Sequence, residues 1–371
     1  MSDAPDHHVE FCTTVIYPLT AVDIGALGDG WDRGPYTPPK SAGKSSRFSA
    51  ANRLRYIGNA SALEPLFDDS RRAHRRVAAE HEQFMIDAVE VVVLDEHWSA
   101  HAGLLIVHLT HHAAHAPQAA LERLARIARL GRAECRELLA VVAGPPGSWT
   151  VNESIPRAAT VSQSIAPPDD TPGLVRWDGS DAGDRRLVDL LTLPDTTRTL
   201  SKPLDFDSSR PSPVVQMAVS GSSVAAVRRK ALPREIELSV GQIEEVQTFW
   251  TDAAVIELAQ KYAAQSLVDV TLKKAREQRF KRWSTLAKEY RAWRTSSAWE
   301  AGIDHPVEAA VGRLLREELG TERLLVQVDR ELSDHDAVSV RHAAWVLSLV
   351  VGVFGIPPFI DAVANLIARF G

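Results

Sequence analysis

Hydrophobic spacing changes several times along the chain, and each change predicts an element. "HVEFCTTVIYPL" (8–19) is β-branched and predicts a first strand. "YTPPKSAGKSSRFSAAN" (36–52) is rich in Pro, Ser and Gly and predicts a loop. "PLFDDSRRAHRRVAAEHEQF" (65–84) predicts a polar, basic helix. "DAVEVVVLDEHW" (87–98) and "GLLIVHLTHH" (103–112) predict two paired strands. Leu121, Leu124, Ile127 and Leu130 recur at three-residue steps in the next segment, which predicts a helix. "RAECRELLAVVAG" predicts another, capped by Gly144 and closed by Pro145.

Residues 145–213 carry Pro, Gly, Ser, Thr and Asp throughout and read as a long insertion or a pair of poorly ordered loops, with one short helix at "DRRLVDLLTL" (184–193). "PVVQMAVSGSSVAAVRRK" (213–230) predicts a hairpin turning at Ser-Gly-Ser, and "REIELSV" (234–240) a last strand. The character then changes. Residues 242–300 contain no Pro and no Gly, so helical composition is unbroken for about sixty residues. Val255, Leu258, Ala259, Tyr262, Ser266 and Val270 fall on one face of that helix. A second helix over 307–342 leads directly into an apolar tail. The layout is α+β: an N-terminal α/β domain with a mixed sheet and helices (1–240, long loops near 34–52 and 145–213), helical stalk 241–342, and C-terminal membrane segment 343–371.

Composition narrows the function. Of 371 residues, 45% are apolar and 24% charged, as in an ordinary folded domain. The net charge of −6 argues against a general nucleic-acid binder. Cys12 and Cys135 alone make no disulfide framework and suit a reducing cytoplasm. The polar, acidic start is no secretory signal. High Ala and Arg with few Lys point to a bacterial source.

Catalytic signatures are missing. There is no phosphate-binding G-x-x-x-x-G-K-[ST], "GALGDG" (25–30) has no apolar strand leading into it, and "VSGSSVA" is not G-x-S-x-G. No catalytic residue, cofactor or metal site is assigned. His108, His111, His112 and His115 have the spacing of a helical stripe that a transition metal could use. The apolar run before them reads as strand, however, which places His108 on a sheet and the other three in the loop beyond. A basic stretch includes Lys273, Lys274, Arg276, Arg279, Lys281 and Arg282, interleaved with aromatics, and reads as a solvated helix face or as a contact for an anionic membrane surface or an acidic partner.

The tail decides the class. Ala343 to Ile360 are eighteen residues without a charge. As a helix they rise about 27 Å, near the lower limit for a bilayer core. Trp345 suits an interface, Gly352 and Gly355 permit close helix contact, and Pro357 and Pro358 end or kink the helix. Asp361 follows at the far end, near an interface or inside an assembly.

In layout, residues 241–360 resemble the CorA family of divalent-cation transporters. That family closes its first membrane helix with Gly-aromatic-Gly-Met-Asn. "GVFGIPPF" stands at the corresponding place, with Phe354 as the aromatic, Gly355 as the second Gly, and Ile356 and Pro357 in place of Met and Asn. Only 12 residues follow Phe359, too few for the family's second span. The resemblance implies a non-enzymatic homo-oligomer with a coiled-coil stalk. It would be anchored in the inner membrane with its bulk in the cytoplasm, and an activating protein or small ligand would act at the α/β domain. Without the ion-selecting residues it resembles the pore-forming or membrane-perturbing effectors of bacterial defence as much as a transporter. Two other expectations stand beside it: a soluble scaffold with a buried C-terminal helix, and a metal-dependent sensor or enzyme built on the histidines.

Overall fold

The computed structural model describes residues 9–37, 68–94, 101–112, 117–165, 215–220, 222–228, 240–277, 288, 306–334, 345 and 348. Its centre is β1 (Val9–Val22), the strand expected at the start of the chain. Then come β2 (Asp32–Arg33), β3 (Arg72–His81), β4 (Phe84–Val93), β5 (Gly103–His112), α1 (Pro117–Ile127), α2 (Ala133–Val141), β6 (Trp149–Val151), β7 (Ala159–Ile165), β8 (Val215–Ser220), β9 (Ser223–Arg228), α3 (Val240–Glu277) and α4 (Pro306–Leu319). Residues 321–334 form a further helix, α5.

The nine strands make one mixed sheet in the order β2-β3-β4-β5-β1-β7-β9-β8, with β6 paired to the far end of β1. β7 and β9 run parallel and the other pairings are antiparallel. β1 pairs with β7 as far as Ile16 and with β6 from Leu19. The gap falls at Pro18, a residue with no N–H to donate to a ladder.

Alternation along β1 sorts the two faces. Val15, Tyr17 and Leu19 join Val89, Val91, Leu105 and Val107 against Leu124 and Ile127 of α1 and Leu138 of α2. On the other face Ile16, Leu104, Ile106, Val161 and Val224 pack against Trp250, Ala254, Val255 and Leu258 of α3, with Val311 and Leu315 of α4 beside them. Every residue from Gln247 to Gln260 is buried, so this part of the long helix is a layer of the sheet body. A helix covered on all sides is either apolar all round or pairs its polar groups, and here Gln247, Thr251, Asp252 and Glu257 are each bonded.

Three expectations change. The basic helix over 65–84 is instead β3 where it is described: Arg72 and Ala73 are buried and exposure then alternates, because pairing with β4 overrides helix propensity. Ala78 has φ 47° where the register shifts, marking a bulge. The insertion holds β6 and β7, whose strands complete the sheet beside β1, although residues 166–214 lie outside the described set. The second long helix is broken at Gly320, which has φ 65°, between α4 and α5. The short helix expected at 184–193 and residues 234–239 of the expected last strand lie outside the described residues, while Val240 opens α3. Strand pairs 87–98 with 103–112 and the hairpin at 213–230 form as expected where they are described.

Gly103 shows how tightly the sheet centre is built. A Cβ there would lie 2.5 Å from the Val92 carbonyl oxygen and 2.9 Å from Val22 Cγ1. Gly103→Ala is therefore expected to cost about 1–3 kcal/mol by overpacking. Urea unfolding measures this, and a change within about 0.5 kcal/mol would mean that the strand crossing is looser than drawn.

Candidate functional site: a buried charge network under the long helix

The α3-facing side of the sheet is not wholly apolar. Arg72 on β3, Glu90 on β4 and Asp252 on α3 are all fully buried. A charge in such a place must be paired or the fold loses several kcal/mol. Arg72 is paired twice: its Nε donates to Glu90 Oε2 at 2.8 Å and its Nη2 to Asp252 Oδ1 at 2.9 Å. Burial works against the guanidinium's charge, but Glu90 and Asp252 together outweigh it and raise the pKa of Arg72.

Glu90 collects further donors. The Tyr36 backbone N–H donates to Oε2 at 2.9 Å, and His108 Nε2 lies 2.6 Å from Oε1. His108 sits on β5 with its ring 5.0 Å from that of Tyr36. Its other nitrogen, Nδ1, is 3.4 Å from Thr14 Oγ1 on β1. Thr14 in turn accepts from Gln247 Nε2 at 3.2 Å and lies 3.0 Å from Thr251 Oγ1. Thr251 has one hydroxyl proton for two acceptors, Thr14 and the Gln247 carbonyl at 2.8 Å, so it serves one at a time.

Beside this network opens a cleft of about 20 Å³, lined among others by Thr14, Tyr36, Asp87, His108, Gln247 and Thr248. That is room for a water-sized occupant. Asp87 is there because β4 carries a bulge: Ile86 pairs with Leu109 and Ala88 with His108, leaving Asp87 as the extra residue. Its Oδ2 accepts from Thr110 Oγ1.

Thr14, His108 and Glu90 stand in the order hydroxyl, imidazole, carboxylate of a nucleophile triad. The geometry does not support that use. Thr14 is 0% exposed and accepts from α3, and its 3.4 Å approach to His108 is at the long limit. The set instead ties a helix to a sheet. Farther along the same helix, the carboxylate of Glu257, whose pKa burial pushes up, is gripped by Arg316 of α4 at 2.8 and 3.2 Å. The sheet therefore holds α3, and α3 holds α4.

The residues expected from sequence are scattered. His108 joins the network, while His111 faces the opposite side of the sheet and packs edge-on to Phe84 at 6.1 Å. His111 and His112 belong to β5 and not to a loop, as had been expected, and His115 lies outside the described residues. The helical stripe is not realised, because strand alternation sends neighbours to opposite faces. No group of three or more metal-ligating side chains occurs among the described residues. Lys273, Lys274 and Arg276 fall in the last turns of α3, and Arg279, Lys281 and Arg282 lie outside the described residues. Trp345 is helical and 63% exposed, whereas Gly352, Phe354, Gly355, Pro357 and Asp361 lie outside. No helix among the described residues is long and apolar enough to cross a membrane. Both cysteines are buried, and burial raises the pKa of the Cys135 thiol.

Arg72, Glu90, Asp252, Thr14 and Gln247 were not anticipated. A signal existed for two of them: Glu90 interrupts a run of valines, and Asp252 sits in the apolar run around Trp250. A charge inside an apolar run calls for a partner. Compared with protein-family models, curated proteins and solved structures, the chain matches none.

Arg72→Met would leave two carboxylates buried without their cation. It is expected to cost about 3–5 kcal/mol in urea unfolding. Asp252→Asn, which keeps an acceptor for Nη2, should cost less. Equal costs, or a loss of under about 1 kcal/mol for Arg72→Met, would show that the network does not hold α3.

Proposed function

We propose that this chain is a membrane-anchored, non-enzymatic homo-oligomer of CorA-like layout, an effector whose C-terminal tails act in the bilayer under control of the sheet domain. The observation that carries the reading is the uncharged run Ala343 to Ile360. Nothing in that run except Ser348 offers the polar side that a surface helix of a soluble domain would turn to water. The helical, exposed Trp345 at its entrance supports the reading, since an indole suits the membrane interface.

The sheet body supports the control role. α3 is locked to the sheet through Asp252 and to α4 through Glu257. Through this chain of contacts a change at the sheet can reach the helices that precede the tail. The degenerate "GVFGIPPF" supports membrane perturbation over selective transport, because the positions that correspond to the family's Met and Asn hold Ile356 and Pro357.

Full-length protein expressed in bacteria is expected in the membrane fraction, resistant to carbonate and high salt. Removal of residues 343–371 should release it. Full-length protein that stays in the soluble fraction without detergent would sink the proposal and favour a tail buried in the protein's own core.

A further inference from the structure

Two ionic joints hold the helical layer, and they differ in their access to water. At the Arg72 joint between α3 and the sheet, both members of each ion pair are fully buried. At the joint between α3 and α4, Glu257 is fully buried but Arg316 is 18% exposed. The two helices differ in the same direction. α3 is buried at every residue from Gln247 to Gln260. From Val311 on, α4 buries Val311, Gly312 and Leu315 and leaves Arg313 and Glu317 exposed. A segment with few buried contacts opens before one with many. α4 is therefore the part of the layer that can leave while α3 stays on the sheet.

What α4 would leave behind is a buried carboxylate. Glu257 accepts from Arg316 Nη2 at 2.8 Å and Nε at 3.2 Å, and among the described residues it has no other partner. Lys261 stands one helical turn farther along α3. A Glu followed by a Lys four positions later is the favourable order for an ion pair on a helix. With Arg316 on the carboxylate that pair is not made. Lys261 is half-buried and has no hydrogen bond or ion pair among the described residues. Burial pushes the Glu257 pKa up in spite of Arg316, and burial pushes the Lys261 pKa down. Both side chains thus carry their charge short of water. Beside the Gly320 break, Thr321 is fully buried and its hydroxyl has no partner among the described residues, which destabilises the docked arrangement at that point.

We propose that Glu257 is a two-way switch, paired with Arg316 while α4 is docked and with Lys261 once α4 has swung away from α3. The cost that would otherwise keep α4 in place is a buried charge left without its partner. Lys261 removes that cost, because the carboxylate has a cation in either state. Docked and released α4 are then two discrete arrangements of the same helices, and Gly320 lets α4 change its angle to α5 as it moves. α3 keeps its place throughout, since the Arg72 joint takes no part in the exchange. The exchange of partners stands on these contacts alone. Its use to control the C-terminal tail rests on the membrane-effector reading.

The test is amide hydrogen exchange on full-length protein at fixed pH and without denaturant, in detergent micelles if the protein fractionates with membranes. Peptides from 306–319 report α4 and peptides from 247–260 report α3. Exchange in α4 is expected through an opening of its own, at least about tenfold more frequent than that of α3. Arg316→Met should raise α4 exchange about tenfold or more and leave α3 unchanged, because it removes the docked partner. Lys261→Met should lower α4 exchange at least about twofold, because the released state loses its ion pair. Lys261→Arg keeps a cation there and should stay near the unsubstituted rate. In a Glu257→Gln background, Lys261→Met should lose most of its effect. An effect undiminished in that background reports packing alone and overturns the switch. So does an unchanged rate in Lys261→Met, or exchange of α3 and α4 in a single step. If Arg316→Met does not fold, the Lys261 variants decide. Cell fractionation reads the membrane proposal separately. A switch found in a protein that fractionates as soluble keeps the exchange of partners and removes its control of a membrane tail.

Discussion

The guanidinium of Arg72 is the contact on which this architecture turns. It sits fully buried between a sheet carboxylate and a helix carboxylate, 2.8 Å from Glu90 and 2.9 Å from Asp252. Such a triad adds little net stability, because desolvation offsets most of the attraction. What it fixes is position. The apolar residues around it, Trp250, Ala253, Ala254 and Val255, would tolerate a slide of α3 along the sheet, since hydrophobic contact is not directional. A slide by one turn would present Thr248 or Ile256 to Arg72 and leave a buried cation half paired. The network therefore gives a long helix one register on an otherwise permissive surface.

The two faces of the sheet divide the labour. The face under α1 and α2 is a conventional core of Val, Leu, Ile and Phe, with Tyr17 satisfied by the Ile127 carbonyl at 2.9 Å. Burial raises the Tyr17 pKa well above its usual value, so the hydroxyl stays neutral and serves as a donor. The face under α3 mixes aliphatic packing with Thr14, Glu90, His108 and Arg72. Hydrophobic area supplies the cohesion of the body, and the polar positions supply specificity. That split explains why the chemically interesting groups lie on the α3 side.

Legibility in the sequence followed range. β1, β4, β5 and the β8–β9 hairpin carry their own alternation and turn residues, and the sequence placed all of them. β3 was read as a helix because four Arg and two His in 71–81 suit a solvated helix, and only its partner β4 makes a strand of it. β7 was invisible for a related reason: "ATVSQSI" is too polar to signal a core strand, yet it lies between β1 and β9. The candidate site was least legible. Thr14, Arg72, Glu90, His108 and Asp252 are spread over 239 positions from first to last, and no local spacing joins them. Only the histidine was singled out, and for a stripe that strand geometry cannot form.

The break at Gly320 bears on how the helices beyond α3 can move. A continuous rod from 306 to the tail would transmit any displacement of its base rigidly. Gly320 instead takes a left-handed conformation, and its N–H bonds to the Glu317 carbonyl at 3.2 Å. α4 before it is clamped to α3 by Arg316 and packs through Val311 and Leu315. α5 after it restarts at the buried Thr321 and is anchored by Val328 and Leu332, while Val326 faces out at 56% exposure. Two helices that meet at a glycine can change their mutual angle while each stays helical, since a few element-terminal residues are enough to absorb a hinge. The clamp is thus on the sheet side of the glycine and the tail on the other. A change in the grip on α3 would reach α5 as a change in its direction and not as a push along its axis.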